Sequence, residues 1–226
     1  MKITWYGHST WLIETGEHRI AIDPFFDDNP SAPCKSNSIN ADTILISHGH
    51  YDHVADAASI ANRCQATIVA NFEIASWFSS NHSVKNTIGM NLGGKANLPW
   101  GSVKMTVAWH SSVLPDGTYG GNPGGFVIEA EGKRIYYAGD TALFSDMALI
   151  GKSSIDLAIL PIGDLFTMGP EDSVEATLLV NPKHVLPTHF NTWPPIAQDA
   201  NAWAKLIQAK SSATPHVIQP GDSITL

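Results

Sequence analysis

Short apolar runs alternate with polar turns along the chain, and the period of each run predicts its element. Thr10 to Glu14 and Arg19 to Asp23 read as two short strands around the turn Thr15-Gly16-Glu17-His18, and strand-like sequence starts at Met1. Pro24 ends the second strand, because proline cannot donate to a ladder. Thr43 to Ile46 is continuously apolar, as expected of a strand covered on both faces. It runs straight into Ser47-His48-Gly49-His50-Tyr51-Asp52-His53. Val54 to Asn62 is alanine-rich and predicts a helix, Thr67 to Ala70 a strand, and Glu73 to Ser79 a short helix.

The second half repeats that order. Val103 to Trp109 predicts a strand ending at His110, and a Gly-, Pro- and Asn-rich loop follows from Ser111 to Gly125, long enough to suggest a role in a site. Phe126 to Glu129 and Arg134 to Ala138 predict a hairpin around Ala130 to Lys133, with Asp140 just past its second strand. Ile155 to Leu160 reads as a buried strand, Pro170 to Val180 as a helix opened by proline, and His184 to Pro187 as a strand. Gln198 to Ala209 is the last helix, and Ser223 to Leu226 closes a sheet edge. Strand-then-helix order in both halves predicts two packed sheets with helices outside. Without a linker or close repeat, residues 1–226 read as one domain, and the shared element order suggests an internal duplication.

Composition narrows the function classes. Apolar residues make up 43% of 226, enough for a sizeable core, and charged residues only 15%. The formal net charge of -8 argues against a nucleic-acid partner, and part of that acidity would offset bound cations. Cys34 and Cys64 are too few for a disulfide framework. No signal-peptide core and no run of ~20 apolar residues is present, so a cytoplasmic enzyme acting on a small molecule, without a membrane partner, is expected. Whether it self-associates into a homo-oligomer stays open.

The chemistry concentrates in His48-Gly49-His50-Tyr51-Asp52-His53, with four metal-ligand types in six residues after an apolar strand. A helix cap needs only one of them, and burying three imidazoles without a ligand is costly. Imidazole with carboxylate suits zinc, and also Mn, Fe, Co or Ni. The spacing favours His48 and His50 on one ion and Asp52 and His53 on another. His110, Asp140 and His189 all follow strands, where active-site residues concentrate. His18, His82, His184 and His216 read as turn or loop residues without a metal role, and Asp164 as a turn residue near the site edge.

The chain resembles the metallo-β-lactamase superfamily, and within it the small bacterial and archaeal metal-dependent hydrolases related to ascorbate-6-phosphate lactonase and N-acyl-phosphatidylethanolamine phospholipase D. The segments that carry the likeness are Tyr6-Gly7-His8-Ser9, Ile22-Asp23-Pro24, the His48 to His53 element, Tyr137-Ala138-Gly139-Asp140-Thr141, Thr167 to Asp172, and Pro187-Thr188-His189-Phe190-Asn191-Thr192. The resemblance implies an α/β fold, the four-layer αββα sandwich. It implies two divalent ions, with His48, His50 and His110 on the first, Asp52, His53 and His189 on the second, and Asp140 between them. Asp23 matches a carboxylate that orients a ligand imidazole, although a strand-end cap would also use it. His8 matches this family alone, either facing the cavity or as a hydrogen-bonded core histidine.

The implied reaction is attack by a hydroxide shared between two metals on an ester, lactone, amide or phosphodiester centre. Asp52 or Asp140 would orient the hydroxide, and His8 or a water would protonate the leaving group. The Ser111 to Gly125 loop and the segment Asp164 to Pro170 would wall the pocket, with Trp109 and the Trp193-Pro194-Pro195 turn beside it. Two rivals share the fold. A diiron redox protein typically carries glutamate where this chain has His50, and a non-catalytic zinc module closes its site with four ligands.

Overall fold

In the computed structural model, which describes residues 1–226, the first 90 residues build six strands: β1 (Lys2–Trp5), β2 (Trp11–Thr15), β3 (His18–Ile22), β4 (Thr43–Leu45), β5 (Thr67–Asn71) and β6 (Thr87–Met90). Seven more follow: β7 (Lys95–Leu98), β8 (Gly101–Val107), β9 (Gly124–Ala130), β10 (Lys133–Tyr137), β11 (Leu157–Pro161), β12 (His184–Thr188) and β13 (Thr214–Pro215). The last strand, β14 (Ser223–Thr225), returns to the first sheet beside β1. The sheets therefore order as β14-β1-β2-β3-β4-β5-β6 and β13-β12-β11-β10-β9-β8-β7.

The two sheets follow one plan. From β1 to β6 the successive pairings are antiparallel twice and then parallel three times. From β8 to β13 the same sequence of pairings recurs. The duplication suggested by element order thus has a topological counterpart.

Side-chain alternation decides what each face covers. In β2 to β5, Trp11, Ile13, Ile20, Ile22, Leu45 and Val69 point into the core between the sheets. Their neighbours Leu12, Ala21, Ile44, Ile68 and Ala70 point outward. Three helices, α1 (Tyr51–Val54), α2 (Ala57–Cys64) and α3 (Phe72–His82), contribute Val54, Ile60, Ile74 and Phe78 to that outer layer. Helices α4 (Met147–Gly151), α5 (Pro170–Val180) and α6 (Ala200–Lys210) send Met147, Val174, Trp203 and Ile207 into the layer over the second sheet. Helix, sheet, sheet and helix is the expected αββα sandwich. No helix is long and apolar enough to cross a membrane.

Several elements differ from expectation for identifiable reasons. The predicted helix Val54 to Asn62 breaks at Asp56, whose carboxylate accepts the backbone N–H groups of Phe26 and Asp27 and pins the break to the loop after β3. His18 opens β3 rather than sitting in the turn, whereas His184 opens β12, the strand expected from His184 to Pro187. The strand predicted from Val103 runs two residues earlier, which frees Ala108 and Trp109 for the loop. Strands β6 and β7 and the five-residue α4 were not predicted.

Candidate metal centre

One edge of the sandwich gathers every candidate residue. Strand β4 delivers His48 to a short extended stretch, and His50 sits at the N-terminus of α1, so Asp52 and His53 fall in its single turn. Gly49 lets the long loop pack close: a Cβ there would lie 3.1 Å from the Val113 carbonyl and 3.2 Å from Leu114, so the loop would have to give by a few tenths of an ångström. From the second sheet come His110 after β8, Asp140 after β10 and His189 after β12. His8 and His189 both hold left-handed backbone, φ 53° each, and the His189 N–H donates to the His8 carbonyl, tying the two sheets together at the site.

The Oδ2 atom of Asp140 is the centre of the arrangement. The Nε2 atoms of His189, His53, His110 and His48 lie 3.0, 3.3, 3.7 and 4.0 Å from it. Around this point two groups of donors could each hold an ion, His48 with His50 and His110, and Asp52 with His53, His189 and His8, while a third close set, Asp23 with His48 and His53, is wholly buried behind them. In the first group His48 Nε2 faces His50 Nδ1 at 2.9 Å. The Oγ of Ser111 approaches the far nitrogen of His50 at 3.3 Å.

Asp23 is wholly buried and does not enter the cavity. It accepts from the Ser47 backbone N–H at 2.8 Å, from the Ser47 hydroxyl, from the Tyr137 hydroxyl at 2.7 Å and from His53 Nδ1 at 2.7 Å. A carboxylate there makes Nδ1 the protonated nitrogen of His53 and aims the Nε2 lone pair at the cavity. Asp23 thus has the orienting geometry rather than that of a strand-end cap. His8 is equally buried, with Nδ1 2.8 Å from Thr192 Oγ1 and Nε2 2.8 Å from Asp52 Oδ2. Both ring nitrogens are engaged, which suits holding Asp52 rather than delivering a proton to substrate.

The electrostatics set out what the cavity lacks. Burial would raise the Asp140 carboxyl, but the His189 and His53 imidazoles hold it well below the usual range. Burial likewise opposes ionisation of Asp52, which His53 and the hydrogen bond from His8 nevertheless keep low. His53 is pushed well above its ordinary value by Asp140, Asp23 and Asp52, against the effect of burial. Burial pushes His48, His50 and His110 down, and holds His8 at about 4 with help from His189. Every ion pair of Asp52 and Asp140 is to a histidine, none to lysine or arginine. Meanwhile His53 Nε2 and Asp140 Oδ1 are buried with no hydrogen-bond partner. Imidazoles held neutral at His48, His50 and His110, anionic carboxylates at Asp52 and Asp140, and a His53 that takes up positive charge among those carboxylates make a donor set suited to divalent cations.

Seven predicted ligand positions, with His8 and Asp23, are therefore brought together. Asp164 sits in a turn of left-handed backbone, φ 65°, and is exposed. His184 and His216 pair with each other at 3.0 Å and stay clear of the cluster. Sequence reasoning missed Ser47, Tyr137 and Thr192. Ser47 directly precedes the histidine element, and Thr192 ends the segment that carries His189. Tyr137 gave no signal beyond its place in a strand.

The profile of the beta-lactamase superfamily domain matches residues 2–189. The chain is 47% identical over its whole length to a UPF0173 metal-dependent hydrolase of Thermus thermophilus, covering 99% of that protein. It is 48% identical to another of Geobacillus thermodenitrificans, with complete coverage of both. Among solved structures it superposes on Igni18, a metallo hydrolase from the hyperthermophilic archaeon Ignicoccus hospitalis, with a TM-score of 0.88 and 35% identity over 99% of this chain and 97% of that one. Fold, site and relatives agree: the chain belongs to the UPF0173 metal-dependent hydrolases of the metallo-β-lactamase superfamily.

Proposed function

We propose that the protein is a hydrolase that works with two divalent cations, zinc first among them, on an ester, lactone or phosphodiester-type bond of a small molecule. His48, His50 and His110 would hold one cation and Asp52, His53 and His189 the other, with Asp140 between them. The observation that carries this reading is the convergence of four imidazole nitrogens on a single oxygen of Asp140 within 4.0 Å. Two such cations supply Lewis acidity and a water made nucleophilic near neutral pH.

The chain's own residues prepare the site. Asp23, held by Ser47 and Tyr137, fixes the tautomer of His53. His8, anchored on Thr192, steadies Asp52. Asp52, the most accessible carboxylate of the cluster with 24% of its side chain exposed, is the group best positioned to orient an attacking water. We also read residues 1–226 as one domain, and the protein as cytoplasmic, consistent with two free cysteines.

Metal analysis of protein purified without added metals, paired with an esterase, lactonase and phosphodiesterase screen, tests the reading. Two equivalents of metal and chelator-sensitive turnover are expected. Full turnover by metal-free protein would overturn it.

A further inference from the structure

All the loops that converge on this edge of the sandwich share a property of charge. Residues 6–10, 46–53, 108–123, 138–146, 162–169 and 189–199 contain none of the chain's 13 lysines and arginines, and the loop between β3 and β4, residues 23–42, contains one, Lys35, whose ammonium donates to the Asp27 carbonyl at 2.6 Å. They do contain acidic residues away from the cluster, among them Asp28, Asp116 and Asp164. Asp28 accepts the Tyr51 hydroxyl, and Asp116 accepts the Trp77 indole N–H at 2.7 Å.

The same loops hold most of the large apolar side chains that the molecule exposes. Trp109, Tyr119, Leu165 and Phe166 are 65%, 63%, 67% and 57% accessible, with Val113 and Trp193 also exposed. Their attachment to the site is direct. Trp109 donates its N–H to Thr141 and accepts from Ala142, flanking Asp140. Val113 pairs with Tyr119 and packs its carbonyl on Gly49. The Trp193 ring lies 4.9 Å from that of His8. The turn bearing Leu165 and Phe166 is closed by Asp164 to Met168, and Met168 donates to the Thr141 carbonyl. Apolar side chains this exposed around a polar centre mark a binding surface.

We infer that the substrate is a neutral ester or lactone carrying an apolar acyl or aryl group, not a phosphoester or an acyl chain with its own charge. This rests on the hydrolytic reading above and narrows it. The rim removes methylenes or an aromatic ring from water, and the one cation on its loops, Lys35, is engaged by the Asp27 carbonyl. Asp28, Asp116 and Asp164 on the outer loops disfavour a negative charge carried on the part of the substrate that lies away from the cluster.

Metal-loaded protein is assayed with p-nitrophenyl acetate, butyrate, hexanoate and hemisuccinate, and with bis(p-nitrophenyl) phosphate. Each methylene leaving water is worth about fourfold, so on this open rim kcat/KM should rise at least about tenfold from acetate to hexanoate. Hemisuccinate should fall at least about tenfold below butyrate, and D116K/D164K should recover about threefold of that gap at low salt. Hemisuccinate or the phosphodiester matching butyrate overturns the inference while leaving the hydrolytic reading intact. If no probe turns over, binding is compared instead. Quenching of tryptophan emission by the inert 4-nitrophenyl hexyl ether, against 4-nitrophenyl phosphate, then decides the inference. Tighter binding of the ether supports it, and equal or tighter binding of the phosphate refutes it.

Discussion

Replacing Asp23 by asparagine separates orientation from ligation. The backbone at this position is left-handed, φ 44°, a conformation asparagine adopts readily, so the substitution adds no backbone strain. Oδ2 receives three donors, from Ser47, His53 and Tyr137, while Oδ1 receives the Ser47 N–H. An amide NH2 placed on Oδ1 would meet the Ser47 N–H donor to donor. Placed on Oδ2, it turns His53 Nδ1 into an acceptor, moves the ring proton to Nε2 and points it at Asp140 Oδ2, 3.3 Å away. Either way one charged hydrogen bond, roughly 1.5–3 kcal/mol, is lost or inverted. Loss of an orienting carboxylate commonly weakens a metal site by about 10–100-fold. Zinc affinity of D23N, measured by competition with a chromophoric chelator, should fall in that range, with a parallel loss of turnover. Affinity within about threefold of the parent, in folded protein, would refute the orienting role.

His50→Ala should lose one equivalent of metal by elemental analysis and nearly all turnover, because the lone pair 2.9 Å from His48 Nε2 disappears. Adding zinc to metal-free protein at about 100 times its dissociation constant should stabilise it by about 2.7 kcal/mol, a Tm rise of several degrees by calorimetry. Gly139→Ala should cost about 1–3 kcal/mol in denaturant unfolding, since φ is 66° and the new Cβ would stand 2.8 Å from the Gly124 carbonyl. Asp156, paired with Lys183 at 2.8 Å and accepting from the Arg134 N–H, has its carboxyl lowered in the fold against the effect of burial. Its stabilisation is therefore complete above the unfolded value, about 3.9, and is lost as pH falls toward the lower folded value. Asp156→Asn should flatten the fall of Tm on the acid side of pH 4 relative to the parent.

The sequence made the site easier to see than the frame around it. His48 to His53 is legible because ligand types cluster at short spacing, and β4 because Ile44 and Leu45 serve opposite faces of one sheet. The edge strands escaped notice for the opposite reason. In β7 Lys95 and Asn97 are exposed and no residue is buried, so little of an apolar pattern is left. In β6 only Met90 is buried, and Gly89 is there because Phe72 of α3 packs within 3.1 Å of where a Cβ would be. The break at Asp56 depends on N–H groups thirty residues away, which no local periodicity reports. The roles of His8 and Tyr137 were hidden for the same reason, since their partners Thr192 and Asp23 are distant in sequence.

The matching order of pairings in the two sheets also orders the corners between strands. The corner after the third strand of the plan holds Asp23 in one half and Asp140 in the other, and the corner between its first and second strands holds His8 and His110. In each case one member of the pair faces the cavity and its twin steadies a neighbour from behind, as Asp23 does for His53 and His8 for Asp52. A chain assembled from two like halves begins with equivalent positions facing each other across a seam. Its descendants are then free to keep one copy as reagent and retire the other to scaffolding. On that account, the division of labour between the two aspartates is a record of how the pocket came to be asymmetric.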